Sequence, residues 1–247
     1  MTQGQTKFRP LSEVIPFREY AVILLLFFSY WSLAGISGQD KVDLIHIVTK
    51  ENKSDLLIWL DDKILGFQPS QALEAYLTLP LVYLMSFAYI IAYIPLFLYT
   101  VYTLHSRKRF YELEHLLTAF VVAYTIALPI FFIVPAPEPR YVLNYSNSII
   151  DSGEGVIQKL DDIVVNLNST QMNSLPSLHV ALSTLVLLSS MSLKRHERLV
   201  VCVFVLSLWF STLYLRHHYF VDIIGGWLLA VFSWRMSKKL FPLPNHD

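Results

Sequence analysis

The feature that most constrains this chain is a series of six apolar stretches of membrane-crossing length. They lie near Tyr20–Ile36, Leu77–Leu104, Leu116–Val134, Ser177–Leu193, Leu199–Leu215 and Tyr219–Met236. A hydrocarbon core about 30 Å thick takes roughly 20 helical residues to cross, and within it a helix satisfies its own backbone amides and carbonyls. The expected fold is therefore all-α: an integral membrane bundle of six transmembrane helices with interfacial amphipathic helices on the outer side. Composition points the same way, since 54% hydrophobic residues, 15% charged residues and a mean hydropathy of +0.47 are too apolar for a soluble domain. No small-residue cleavage site stands out after the first stretch, so it is expected to stay as a mature helix. The whole chain, 1–247, reads as a single polytopic membrane domain.

Net charge is zero but unevenly placed. Lys7, Arg9 and Arg18 precede the first stretch; Arg107, Lys108 and Arg109 lie in the second turn, Lys194, Arg195 and Arg198 in the fourth, and Arg235, Lys238 and Lys239 at the end. These short segments hold 12 of the 19 Lys and Arg residues, so the positive-inside rule puts both termini in the cytoplasm. The connections 37–76, 135–176 and 216–218 then face outward. Three Asn-X-Ser/Thr tripeptides, at Asn52, Asn144 and Asn168, fall on that outer side. The single Cys202 excludes an intramolecular disulfide. No internal repeat, nucleotide-binding glycine loop or basic nucleic-acid patch is visible, and no nucleic-acid partner is expected.

Two outer connections carry helical periodicity. Leu56, Leu57, Leu60, Ile64 and Phe67 recur at helical spacing opposite Asp61, Asp62 and Lys63, which predicts a short helix on the outer mouth, with Trp59 at interfacial depth. Val156, Ile157, Leu160, Ile163, Val164 and Leu167 line one face of a second segment, read either as a lid or as a plain interfacial helix. Pro80 and Pro95 are positioned to kink the second stretch. The third ends in Val134-Pro135-Ala136-Pro137-Glu138-Pro139-Arg140, a stiff exit that fixes where Arg140 points.

The outer ends of the last three stretches hold costly polar groups. In Leu215-Arg216-His217-His218-Tyr219-Phe220-Val221-Asp222, His218 and Asp222 are four residues apart and share a face if the segment is helical. An aspartate so placed holds one imidazole nitrogen and leaves the other free as nucleophile or base. In Asn173-Ser174-Leu175-Pro176-Ser177-Leu178-His179, Ser174 is the expected N-cap and Pro176 suits the first turn. The amides of Ser177 to His179, with the Ser177 hydroxyl, then offer an oxyanion site at a helix N-terminus. A compact bundle brings these groups to Arg140. Two histidines, a carboxylate and two arginines are the parts that phosphoryl transfer needs.

Leu-Pro-Ser-Leu-His at 175–179 and His-His-Tyr-Phe-Val-Asp at 217–222, followed by Gly225-Gly226, resemble the second and third motifs of the type 2 phosphatidic acid phosphatase superfamily. The nearest branch in pattern is that of the inositol phosphorylceramide synthases and related lipid phosphotransferases. The resemblance covers roughly residues 115–237. It implies that His218 is a nucleophile forming a phosphohistidine, Asp222 its orienting partner and His179 the acid for the leaving group. Ser177 and Arg140 would hold the phosphate, and no metal or cofactor is implied. Leu178 stands where the phosphatases have glycine, Ser211-Thr212 where they have Ser-Arg, and no lysine precedes Arg140 at the usual distance. Arg216 has no clear counterpart: on a continuous helix it faces away from His218, whereas in a bent loop it reaches a phosphate. His217 reads as a neighbour of the reacting groups.

Leu178 beside the histidine, Thr212 in place of an arginine and the amphipathic segment 155–167 favour a dry, narrow site. The expected activity is thus transfer from a membrane lipid phosphate or phospho-headgroup to a lipid or polyol acceptor, with a lipid phosphate phosphatase as the alternative. A metal site made of His179, His218 and Asp222 is a different enzymatic reading, and a lipid-binding or transport protein a third.

Overall fold

The structure, a computed structural model, describes residues 52–146, 150 and 173–240. The expected first span at Tyr20–Ile36 and the amphipathic segment 155–167 lie outside the described residues. Six helices carry the described fold: α1 (Ser54–Leu65), α2 (Leu79–Ser106), α3 (Phe110–Ile133), α4 (Leu178–Ser190), α5 (Arg195–Tyr214) and α6 (Phe220–Leu240). Among the described residues there is no strand, only an isolated parallel bridge between Ala136 and Asn173. The bundle is all-α and built for a membrane, as the hydropathy predicts.

Helices α3, α5 and α6 are long and apolar enough to cross a membrane, and α2 makes a fourth candidate span, bent by 41° between Leu79–Ile90 and Ala92–Ser106. Pro95 lies just past the bend, and a proline cannot donate to the carbonyl four residues back. The stretch expected to span as Ser177–Leu193 behaves differently. Its helix α4 has only 13 residues, about 20 Å at 1.5 Å per residue. Its apolar residues fill the centre of the bundle, where α4 touches α2, α3, α5 and α6. Val180, Ala181 and Leu185 are fully buried there. The hydroxyls of Ser183 and Thr184 both donate to the Val180 carbonyl, and Ser189 and Ser190 donate likewise one turn on, so none of them enters the apolar core as an unpaired donor.

Helices α2 and α5 run antiparallel. At one end Arg107 pairs with Glu197 and Arg109 donates to the Ser192 carbonyl, joining two of the basic turns. At the other end the Tyr214 hydroxyl donates to the Tyr76 carbonyl at 3.0 Å. Helix α1 sits at this second end, as expected of a helix on the mouth, and Gly66 closes it in the left-handed region at φ 78°.

Its orientation departs from the expected amphipathic pattern. Trp59, Ile64 and Phe67 face outward, while Leu57 and Asp61, four residues apart, point in and are fully buried. The reason is a demand for acceptors: Asp61 takes the Phe220 and Val221 amides, at 2.9 and 2.8 Å, at the start of α6. Burial, only partly offset by these two amides, pushes the Asp61 carboxyl up to about 6.

Candidate active site

The turn between α5 and α6 builds the site. Arg216 adopts φ 63°, a left-handed conformation costly for a side chain with a Cβ. Its buried guanidinium lies 3.8 Å over the Tyr145 ring and 3.7 Å from Glu74, contacts that offset the strain. The reversal directs the amides of His217 and His218 onto one acceptor, the Thr212 carbonyl, at 2.9 and 3.2 Å. Thus Thr212, where an arginine was missed in the sequence, anchors the histidine pair through its backbone.

Helix α6 begins only at Phe220, so His218 and Asp222 do not share a continuous helix. Asp222 instead reaches back from the first turn. Its Oδ2 accepts from the Tyr219 amide at 2.9 Å, from the Ser174 hydroxyl at 2.5 Å and from His218 Nδ1 at 3.3 Å. With Nδ1 so held, Nε2 of His218 is the free nitrogen, and it lies 3.5 Å from Nδ1 of His179. Nε2 of His179 lies 2.8 Å from the Tyr89 hydroxyl on α2. A chain of Asp222, His218, His179 and Tyr89 therefore crosses from α6 to α4 to α2.

Two expectations about the start of α4 need correction. The N-cap is Ser177, whose hydroxyl accepts from the Val180 amide at 3.3 Å, while Ser174 donates to Asp222 instead. The Ser177 amide is also engaged, donating to the Asp222 carbonyl at 3.1 Å. The α4 N-terminus thus serves first to dock α6, and Gly226 permits that docking. A Cβ there would lie 2.7 Å from the Ser177 carbonyl oxygen and 2.9 Å from Val180 Cβ.

Arg140 arrives from the proline-rich exit of α3, its amide donating to the Arg216 carbonyl at 3.2 Å. Its Nε lies 3.1 Å from Glu138, and its Nη2 is 2.8 Å from the His217 ring. His217 Nδ1 in turn donates to Glu138 at 2.9 Å. Burial alone would push the Glu138 carboxyl up, but the charge and hydrogen bond of His217, with Arg140 and His218, outweigh it and hold the group at about 2.

Glu138, Asn173, Ser174, His179 and His218 form the polar wall of a small cavity, lined on the other side by Tyr93, Phe131 and Leu178. His179, His218 and Asp222 are therefore together, with Arg140 next to them through Glu138. Ser177 and Arg216 are not on the cavity wall. Among the described residues no His, Cys, Asp and Glu group is arranged to hold a metal ion. Sequence reasoning missed Glu138, Tyr89, Asp61 and the Ser174 bond. The only signal was weak: Tyr89 and Tyr93 are one turn apart on an otherwise apolar helix.

A family model described as the PAP2 superfamily matches residues 57–236. This extends the similarity well upstream of residue 115 and takes in most of α1. Among curated proteins, the inositol phosphorylceramide synthase of Candida albicans is 30% identical over 125 residues, covering 46% of this chain and 26% of that protein. The inositol phosphorylceramide synthase catalytic subunit AUR1 of Saccharomyces cerevisiae is 27% identical, covering 43% and 29%. A PA-phosphatase related-family protein of Dictyostelium discoideum is 29% identical, covering 49% and 22%. The chain matches less than a third of the length of each of these relatives. No solved structure matches it significantly.

Proposed function

The chain belongs to the PAP2 superfamily, and we propose that it is an integral membrane phosphotransferase that moves a lipid phosphate or phospho-headgroup through a phosphohistidine on His218. The observation that carries this is the relay behind the cavity wall: His218 and His179 line the cavity with Nε2 of His218 facing His179, and Asp222, buried behind them, holds Nδ1 of His218. Asp222 fixes the tautomer and balances the charge that His218 acquires as it attacks. The Nε2 lone pair forms the N–P bond while the bond from phosphorus to the leaving oxygen breaks. The leaving oxygen keeps that electron pair and takes a proton from His179. In the second half an acceptor hydroxyl attacks phosphorus, its proton passes to His179, and the N–P electron pair returns to His218.

Arg140 supplies positive charge beside the phosphoryl oxygens, released from Glu138 by the incoming anion. Ser177 supports the site as the N-cap under His179. The substrates are a phosphorylated membrane lipid and a hydroxyl-bearing lipid or polyol, in keeping with the names of the two fungal relatives. The apolar wall of Tyr93, Phe131 and Leu178 favours transfer over hydrolysis, because water must be kept from the phosphohistidine. The Dictyostelium relative makes hydrolysis of a lipid phosphate the second reading. By the positive-inside rule, the basic turns at Arg107–Arg109 and Lys194–Arg198 support an orientation with the histidine end, with exposed Asn52 and Asn144, facing outward and both termini in the cytoplasm. The chain acts as one polytopic domain.

The test supplies purified protein with phosphatidylinositol or phosphatidic acid, with and without ceramide or glycosylated lipid acceptors, in the presence of a chelator. Transfer product forms in proportion to acceptor and survives the chelator. Release of phosphate or headgroup at full rate without acceptor, with no acceptor ever modified, overturns the transferase reading in favour of the hydrolase.

A further inference from the structure

Resting on that reading, we infer that Tyr89 is a positioning residue for His179, doing for the second histidine what Asp222 does for the first. Its phenolic oxygen lies 2.8 Å from Nε2 of His179 and 3.3 Å from Nδ1, so the closer approach is to the nitrogen turned away from His218. Nδ1 of His179 is the one that faces Nε2 of His218. Phosphorus bonds to that Nε2, so the leaving and entering oxygens sit beside Nδ1.

Which imidazole nitrogen shuttles a proton is set by what the other one bonds. With the Tyr89 oxygen accepting from Nε2–H, that proton stays in place through both half-reactions. All transfer then passes through Nδ1: it gives its proton to the leaving oxygen in the first half and takes one from the acceptor hydroxyl in the second. Proton count on the ring is restored each cycle.

Tyr89 is itself held rigidly. It is 3% exposed, and its ring stacks on His217 at 4.7 Å and 27°. One turn further along α2, Tyr93 packs against His179 at a centroid distance of 4.5 Å. The His179 ring is thus caged by two tyrosines from one helix face, and one of them carries the hydroxyl that selects the nitrogen. Tyr89 does not line the cavity, so it acts on His179 and leaves substrate affinity alone.

Tyr89→Phe removes one oxygen from this cage. The assay compares donors whose leaving oxygen needs a proton, phosphatidic acid and phosphatidylinositol, with donors whose leaving group does not, p-nitrophenyl phosphate and the p-nitrophenyl ester of inositol phosphate. Tyr89→Phe should lower kcat on the lipid donors by about 10- to 100-fold, part of the effect of a general acid, with KM unchanged. Release of p-nitrophenol should fall by less than about threefold, and His179→Ala should show the same pattern more strongly. If His179→Ala discriminates between the leaving groups and Tyr89→Phe slows both classes equally or neither, the inference is wrong while the phosphotransferase reading stands. If His179→Ala does not discriminate, the acid assignment falls and the role of Tyr89 with it. 15N-histidine NMR at a pH where His179 has given up its Nδ1 proton provides a readout independent of turnover: the neutral ring is a single Nε2–H tautomer in the parent and two exchanging tautomers in Tyr89→Phe. An unchanged tautomer in the variant refutes the inference.

Discussion

Gly226→Ala tests whether the approach of α6 to α4 assembles the site. The new methyl would lie 2.7 Å from the Ser177 carbonyl oxygen and 2.9 Å from Val180 Cβ, whereas non-bonded atoms settle at about 3.5 Å or more. Neither neighbour can swing away, since one is backbone at the α4 N-cap and the other is a Cβ on a fully buried residue. Relief of about half an ångström to an ångström therefore separates the two helices. That displacement is large against the 3.5 Å between His179 and His218. Overpacking costs about 1–3 kcal/mol, offset by roughly 1 kcal/mol from replacing a helical glycine with alanine. Stability should fall by no more than about 2 kcal/mol, whereas turnover should fall by about 100-fold, the usual penalty for an ångström of misplacement.

Gly225→Ala is the control, because its Cβ meets the tip of the Leu175 side chain at 2.9 Å, which can turn aside, and Pro176 Cβ only at 3.3 Å, so it should cost less than Gly226→Ala. Lipid phosphate turnover in mixed micelles and thermal unfolding in the same detergent measure both quantities. Full activity in Gly226→Ala, or a larger loss in Gly225→Ala, refutes the argument.

Other outcomes follow from the same geometry. Asp222→Asn leaves three donors facing an amide and should cut kcat by roughly 10³–10⁴-fold in a protein that still folds, read by turnover and unfolding together. Glu138, lowered from 4.5 to about 2, contributes about 3 kcal/mol that is present above pH 4.5 and lost as pH falls towards 2; Glu138→Gln should flatten the unfolding midpoint across that range. Asp61 has the opposite sign. Its folded value of about 6 lies above 3.8, so the folded state holds the proton more tightly and stability falls as pH rises from about 4 to about 6. Asp61→Asn keeps an acceptor for the α6 amides and should abolish that slope.

The legible parts of this chain were those written in local pattern. Apolar runs located α2, α3, α5 and α6, and helical spacing found α1 on the mouth. The His218 and Asp222 pairing was visible because it needs only one turn of chain. Hydropathy could not distinguish a lipid-facing helix from a central one, so α4 was read as longer than it is. Nor could periodicity assign Asp61, since a buried carboxylate makes sense only once α6 presents unpaired amides 159 and 160 residues away. Tyr89 and Glu138 were hidden for the same reason: their partners, His179 and His217, lie 90 and 79 residues along the chain. Ser177 took the N-cap expected of Ser174 because both satisfy N-cap chemistry, and only the docking of Asp222, which draws the Ser174 hydroxyl, decides between them.

The central claim is covalent catalysis at His218, and trapping the intermediate tests it most directly. Protein mixed with phosphatidylinositol or phosphatidic acid, without acceptor and with a chelator, is quenched at alkaline pH and mapped by peptide mass spectrometry. The account predicts an acid-labile, alkali-stable phosphoryl or phosphoinositol adduct on His218, absent from His218→Ala and discharged when acceptor is added. An adduct on another residue, or undiminished turnover in a folded His218→Ala protein, would contradict it.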